Sequence, residues 1–261
     1  MELKGAVLII GSLLWEDETC CNKEKGEFRK KWRSENLKIE ESKSVLLPIR
    51  YGRISSSRFK TYTMIFCNSV TDERSKGFII PIKVDITTEN GELLNQARLM
   101  SVAEGFSNII SKSGAIAMML NPNFLEVNQT ISNIIIDAWS IPFKNTSNNF
   151  DSSRYSSKNG YPTVIDENGM LKIKWAPEFD NYHFILASPT VPEPGGKVEA
   201  SVIAEAMHKS KGKGNIREEC IGKEYTEYFV KNRCSGITTF QDEEIMVEYK
   251  RLTNKEISNC Y

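Results

Sequence analysis

Three stretches of the chain carry residue types and spacings that could do chemistry. The first is "VLIIGSLLWEDE" at 7–18, an apolar run interrupted by Gly11 and Ser12 and closed by Trp15 and three acids. A short run rich in Val and Ile reads as a strand covered on both faces. A glycine inside it marks a bend, a bulge or a close approach to the backbone, because no Cβ stands in the way. Two readings follow: a strand that ends in a turn, or a loop whose N–H groups and Ser12 hydroxyl point at an anionic ligand. The second stretch is "LLNQARLMSVAEGF" at 93–106. On a helical wheel Glu104 falls with Leu93, Ala97 and Met100, opposite the broad apolar face of Leu99, Val102, Phe106, Ile109 and Ile110. Burial among apolar neighbours raises a carboxyl pKa and makes the group both proton acceptor and donor. The alternative is that Gly105 breaks the helix and leaves Glu104 solvated at its end. The third stretch is "RYGRISSSR" at 50–58, where Arg50, Arg53 and Arg58 interleave with Gly52 and serines. It supplies donors suited to a phosphate or carboxylate, or it is a solvated β-hairpin.

Other chemistries have less to work with. The only histidines are His183 and His208, too far apart for a helical metal motif, and the cysteines at 20, 21, 67, 220, 234 and 260 form no CxxC pair. No metal and no cofactor is expected, and scattered free thiols fit a reducing compartment. Cys234 lies near basic residues but has no histidine close in sequence to activate it. Lys+Arg and Asp+Glu both number 34, with a pI of about 6.8, which argues against nonspecific nucleic-acid binding. No stretch approaches the roughly 18 uninterrupted apolar residues of a membrane helix. The first apolar run lacks a positive n-region and a small-residue cleavage site, so it reads as a strand of the mature fold and the protein as cytoplasmic.

The elements that must position these residues are only partly explicit. Residues 22–42 read as a charged helix with Phe28, Trp32 and Leu37 turned inward. Strand signals follow at 45–51, 61–67 and 76–86, so the first 90 residues favour a compact sheet or barrel over alternating βα units. The clearest helix lies between Gly91 and Gly114. "ISNIIIDAWSIPF" at 131–143 reads as another strand, and the Asn- and Ser-rich segment 144–160 as an exposed, mobile loop. Strand signals resume at 170–189, then a Pro/Gly turn, an amphipathic helix at 197–210, the flexible basic turn "KGKGN" at 211–215, and a mostly helical C-terminus interrupted at Gly236. There, Tyr225, Tyr228 and Phe229 read as buried aromatics. At 261 residues the chain can bury a sizeable core without staples.

In the order of these features the chain resembles the gamma-glutamylcyclotransferase-like superfamily. Members carry Tyr-Gly-Ser-Leu or Tyr-Gly-Ser-Asn at the end of the first strand. This sequence has Ile10-Gly11-Ser12-Leu13, with Ile10 in place of the motif tyrosine. The tract Arg50-Tyr51-Gly52-Arg53 stands where the family places its second strand, "KGFIIPI" where it places the strand leading to its glutamate, and Glu104 before Gly105 in the place of that glutamate. "YFVKNRCSGITTFQDEEI" is similar to the family's terminal helix-turn-helix segment. The resemblance implies an α+β fold: a mixed β-barrel/sheet with flanking helices and an enlarged C-terminal half. It implies a core at 1–120, a strand and loop insertion at 121–215, and a C-terminal helical segment at 216–261 packed on the core. It further implies cleavage of a γ-glutamyl-type amide to 5-oxoproline and a free amine, with Glu104 catalytic and Gly11, Ser12, Leu13, Arg50, Tyr51 and Arg53 binding substrate. The alternative is a catalytically silent module on the same scaffold that binds an anionic or phosphorylated small molecule, or a protein partner through its C-terminal half.

Overall fold

The computed structural model describes residues 1–17, 23–55, 59–68, 75–84, 86–87, 91–112, 114–156, 162–193, 196–210 and 226–257. Arg58, Tyr225, the "KGKGN" turn and Cys20, Cys21, Cys220 and Cys260 therefore lie outside the described residues. In chain order the elements are β1 (Glu2–Leu3), β2 (Gly5–Ile9), α1 (Lys23–Asn36), β3 (Lys43–Leu46), β4 (Ile49–Ser55), β5 (Thr61–Phe66), β6 (Lys76–Pro81), β7 (Ile86–Thr87) and α2 (Glu92–Glu104). They continue as β8 (Ala117–Leu120), α3 (Pro122–Val127), α4 (Gln129–Lys144), β9 (Phe184–Ala187), α5 (Ala200–Lys209), α6 (Glu227–Cys234) and α7 (Asp242–Thr253).

The architecture is mixed α+β. Its centre is a five-stranded sheet in the order β3-β6-β2-β9-β8. Every residue of β2 is buried, as its unbroken apolar sequence requires. It runs antiparallel to β6 and parallel to β9, with Gly5 opposite Phe184 and Leu8 opposite Ala187. Glycine at 5 lets the two strands close up: a Cβ there would stand 2.0 Å from the Phe184 ring. β4 and β5 form a separate antiparallel hairpin with a register shift between Tyr51 and Arg53.

Among the described residues the sheets remain open, so the barrel element of the expected fold is not present. The continuous strand expected at 45–51 divides at Leu47 and Pro48, and Pro48 has no N–H to carry a ladder onward. The five-stranded sheet ends at β3, and β4 pairs with β5 instead.

Three further expectations are corrected. The strand expected at 131–143 is part of the helix α4, which buries Ser132, Ile135, Trp139, Ser140 and Phe143. That is helical spacing; the run of β-branched isoleucines suggested a strand, and packing overrode it. The expected mobile loop is ordered over much of its length. Asn145 and Asp151 cap short 3₁₀ turns at Thr146–Asn148 and Ser152–Tyr155, and Phe150 packs between Phe143 and Tyr155 at ring separations of 4.8 and 6.0 Å. Finally, α2 stops at Glu104 because Gly105, at φ 85°, caps it; Phe106, Ile109 and Ile110 lie beyond the helix, and the buried face is that of Ala97 and Met100.

Candidate functional site

The parallel neighbours β2 and β9 end at the same edge of the sheet, and adjacent parallel strands commonly shape a ligand crevice outside their carboxyl ends. A cavity of about 350 Å³ opens there. The segment after β2 supplies Gly11, Ser12 and Leu13, and the segment after β9 supplies Ser188 and Thr190. Tyr51, Arg53 and Ser55 line it from β4, Glu104 from the end of α2, and Tyr228, Phe229 and Asn232 from α6.

The chain after β2 turns sharply. The N–H groups of Leu14, Trp15 and Glu16 donate to the carbonyls of Gly11 and Ser12 at 2.8–3.2 Å, leaving the N–H groups of Gly11 and Leu13 outside that ladder. Gly11 is not in a left-handed conformation, and a Cβ on it would meet no atom within 4 Å. Neither backbone strain nor crowding demands glycine at 11. What its absent side chain preserves is open space at the cavity wall.

Helix α1 holds this turn through two arginines one turn apart, which place both guanidinium groups on one face. Arg33 Nη1 donates to Leu13 O at 2.8 Å, and its other arm pairs with Asp17. Arg29 is 2% exposed. Its Nε donates to Ala103 O at 2.6 Å, Nη1 donates to Ser12 Oγ at 3.3 Å and pairs with the Glu16 carboxylate, and Nη2 lies 3.7 Å from Glu104 Oε2. Tyr228 donates its hydroxyl to the other Glu16 oxygen. One buried guanidinium thus ties the β2 turn to the C-terminus of α2.

Of the two readings of Glu104, the structure takes the one in which Gly105 ends the helix: α2 stops there, and the carboxylate, a quarter exposed rather than buried among apolar neighbours, faces Arg29. Lys25 also lines the cavity, beside Gly105.

Of the residues singled out from sequence, Gly11, Ser12, Leu13, Tyr51, Arg53 and Glu104 meet in this one cavity. Arg50 does not line it. Its side chain is 2% exposed behind the wall, with Nη1 donating to Tyr51 O at 2.9 Å and with Nε and Nη2 unpartnered. Tyr51 is fixed by Gln241, whose Oε1 accepts the Tyr51 N–H at 3.0 Å, and by Phe229, whose ring lies 6.2 Å away. Burial, reinforced by the charge of Asp242 and opposed by that of Arg233, pushes the Tyr51 hydroxyl well above its ordinary pKa of 10.0, so it stays a neutral donor.

Sequence reasoning missed Arg29, Ser188, Thr190 and Asn232 as site residues and gave Tyr228 only a core role. The spacing of Arg29 and Arg33 was a usable signal. Nothing local marked Ser188 or Thr190, whose place depends on β9 pairing with β2.

The histidines serve elsewhere. His183 Nδ1 accepts the Lys4 N–H at 2.8 Å and its ring packs edge-on against Phe124; burial and Lys4 hold its pKa below 6.5. No group of three or more His, Cys, Asp or Glu arranged to hold a metal occurs among the described residues. Cys234 is disulfide-bonded, which corrects the expectation of free thiols throughout, while Cys67 is free and buried. No helix among the described residues is long and apolar enough to cross a membrane.

Searches against protein-family models, curated proteins and solved structures find no match to this chain.

Proposed function

We propose that the protein is a cyclotransferase-like enzyme that cleaves a γ-glutamyl-type amide. The observation that supports this is the meeting of Glu104 with the Gly11–Leu13 turn in one cavity, although they stand about one sheet apart in sequence. In this reading the substrate's α-amine nitrogen attacks its own γ-carbonyl carbon, forming the ring C–N bond. The original amide C–N bond then breaks, and 5-oxoproline and an amine are released. Because both reactants belong to one molecule, the site mainly has to fold the substrate into a near-attack conformer and move one proton. Glu104 accepts that proton from the attacking amine and delivers it to the leaving nitrogen. Arg29 orients the carboxylate, and the N–H groups of Gly11 and Leu13 face the oxygen on which charge develops. Tyr51 and Tyr228 supply the aromatic wall that the family's motif tyrosine forms and that Ile10 does not.

The reading carries with it the family fold, a small-molecule substrate and a cytoplasmic setting; the disulfide at Cys234 pulls against the last. The test is 5-oxoproline release from a panel of γ-glutamyl amines and peptides, followed by mass spectrometry. Wild type should release it, and Glu104→Gln should keep the wild-type melting temperature while losing at least about a hundredfold in rate. Full activity in that variant sinks the assignment. No release from any substrate leaves the second reading, a silent anion-binding module, which the cationic lining of the same cavity favours.

A further inference from the structure

The cavity's lining is rich in cations. Lys25, Arg29 and Arg53 line it against Glu104, with Glu16 behind Arg29. Arg53, half-buried at the cavity wall, makes no ion pair and no guanidinium hydrogen bond among the described residues. A buried or half-buried guanidinium without a counter-charge is costly unless an anion completes the site.

A second, independent observation points the same way. Tyr51 Oη, Ser188 Oγ and Thr190 Oγ1 are buried without a hydrogen-bond partner, and all three residues line this cavity. Buried polar atoms are normally satisfied, and orphans gathered around one cavity call for a ligand group that satisfies them. They come from two directions, Tyr51 with Arg53 from β4 and Ser188 with Thr190 from the segment after β9, directly beside the Gly11 turn. Three hydroxyls and a two-armed guanidinium offer five donors. A carboxylate, planar and with about four lone-pair sites, cannot take them all, whereas a tetrahedral phosphate with three terminal oxygens can.

We propose that the part of the cavity formed by Tyr51, Arg53, Ser188 and Thr190 is a phosphate subsite, and that the protein's ligand carries a phosphomonoester. The inference goes beyond the cyclotransferase reading and does not rest on it, since binding is read without turnover.

The test uses the full chain with inorganic phosphate as probe and acetate at matched ionic strength as control, by calorimetry and thermal unfolding. Phosphate should bind and raise the melting temperature, and acetate should not. Arg53→Gln should weaken phosphate binding about tenfold or more. Ser188→Ala and Thr190→Val should each weaken it severalfold while leaving the melting temperature without phosphate unchanged or raised, because an unsatisfied buried hydroxyl has been removed. Glu104→Gln, which takes a negative charge from the same cavity, should bind phosphate at least as tightly as wild type. The proposal is overturned if phosphate leaves wild-type melting unmoved, or if acetate raises the melting temperature as much as phosphate does. It is equally overturned if Ser188→Ala lowers the melting temperature of the free protein and leaves phosphate affinity intact, which is the behaviour of a structural hydroxyl.

Discussion

Asp242 shows how far one side chain can depart from its ordinary chemistry. It is the first residue of α7, 3% exposed, with Oδ1 accepting from Thr239 Oγ1 at 2.6 Å and Oδ2 unpartnered. Burial pushes its pKa from 3.8 up to about 6, with a further contribution from Glu243, while the Thr239 bonds and Arg233 oppose the rise. The folded state therefore holds this proton more tightly than the unfolded chain. The resulting stability is present below about pH 4 and is lost as pH rises to about 6, beyond which the dependence is flat. A shift of that size corresponds to at most about 3 kcal/mol. Asp242→Asn keeps the Thr239 acceptor and removes the ionisation. Urea unfolding should show its stability relative to wild type growing between pH 4 and 6 and constant above. A difference that does not change with pH would mean that Asp242 stays ionised in the folded protein across that range.

At the scale of elements, α4 is the case where local preference and packing disagree. Trp139 is fully buried, its Nε1 donates to Gly169 O at 3.1 Å, and its ring lies 6.0 Å from Phe143. The carbonyl of Pro142 near the helix end receives Ser111 Oγ and Asn148 Nδ2, both at 2.7 Å, so the following segment is tied back to the core. Trp139→Ala should destabilise the protein by about 3–5 kcal/mol, read as a lower urea midpoint. β2 and α5 were legible from sequence because each presents one unbroken period, apolar throughout or amphipathic; the C-terminus was legible as helical, and α1, expected over 22–42, ends at Asn36. β4 and α2 were legible in type but not in extent. Their limits depend on Pro48 and on the left-handed Gly105, whose stopping power shows only once neighbouring elements compete for the same residues.

Over the whole molecule, the cavity is assembled from segments far apart in the chain, and the C-terminal part closes it. Trp15 Nε1 donates to Asn232 Oδ1 at 2.8 Å across 217 positions, and Trp15 packs 5.2 Å from Tyr228. Gln241 joins three parts at once: it accepts the Tyr51 N–H and donates to Val198 O at 2.8 Å while 1% exposed. Gln241→Leu leaves the Tyr51 N–H and the Val198 carbonyl unpaired, at about 1–3 kcal/mol for each buried group. Hydrogen exchange should then quicken across β4 and β5 while β2 and β6 stay protected. Uniform acceleration would show that the hairpin does not open by itself. By itself, the sequence determined the buried strand β2, the glycine and serine that end it, and the glutamate before Gly105, since each is written in a local pattern of period, size and backbone freedom. Which carboxylate meets which guanidinium was decided only by the tertiary structure. So was the passage of Ser188 and Thr190 beside the Gly11 turn and the burial of Arg50 behind the wall. Strand pairing and the burial of charge depend on residues up to two hundred positions away, and no local pattern encodes them.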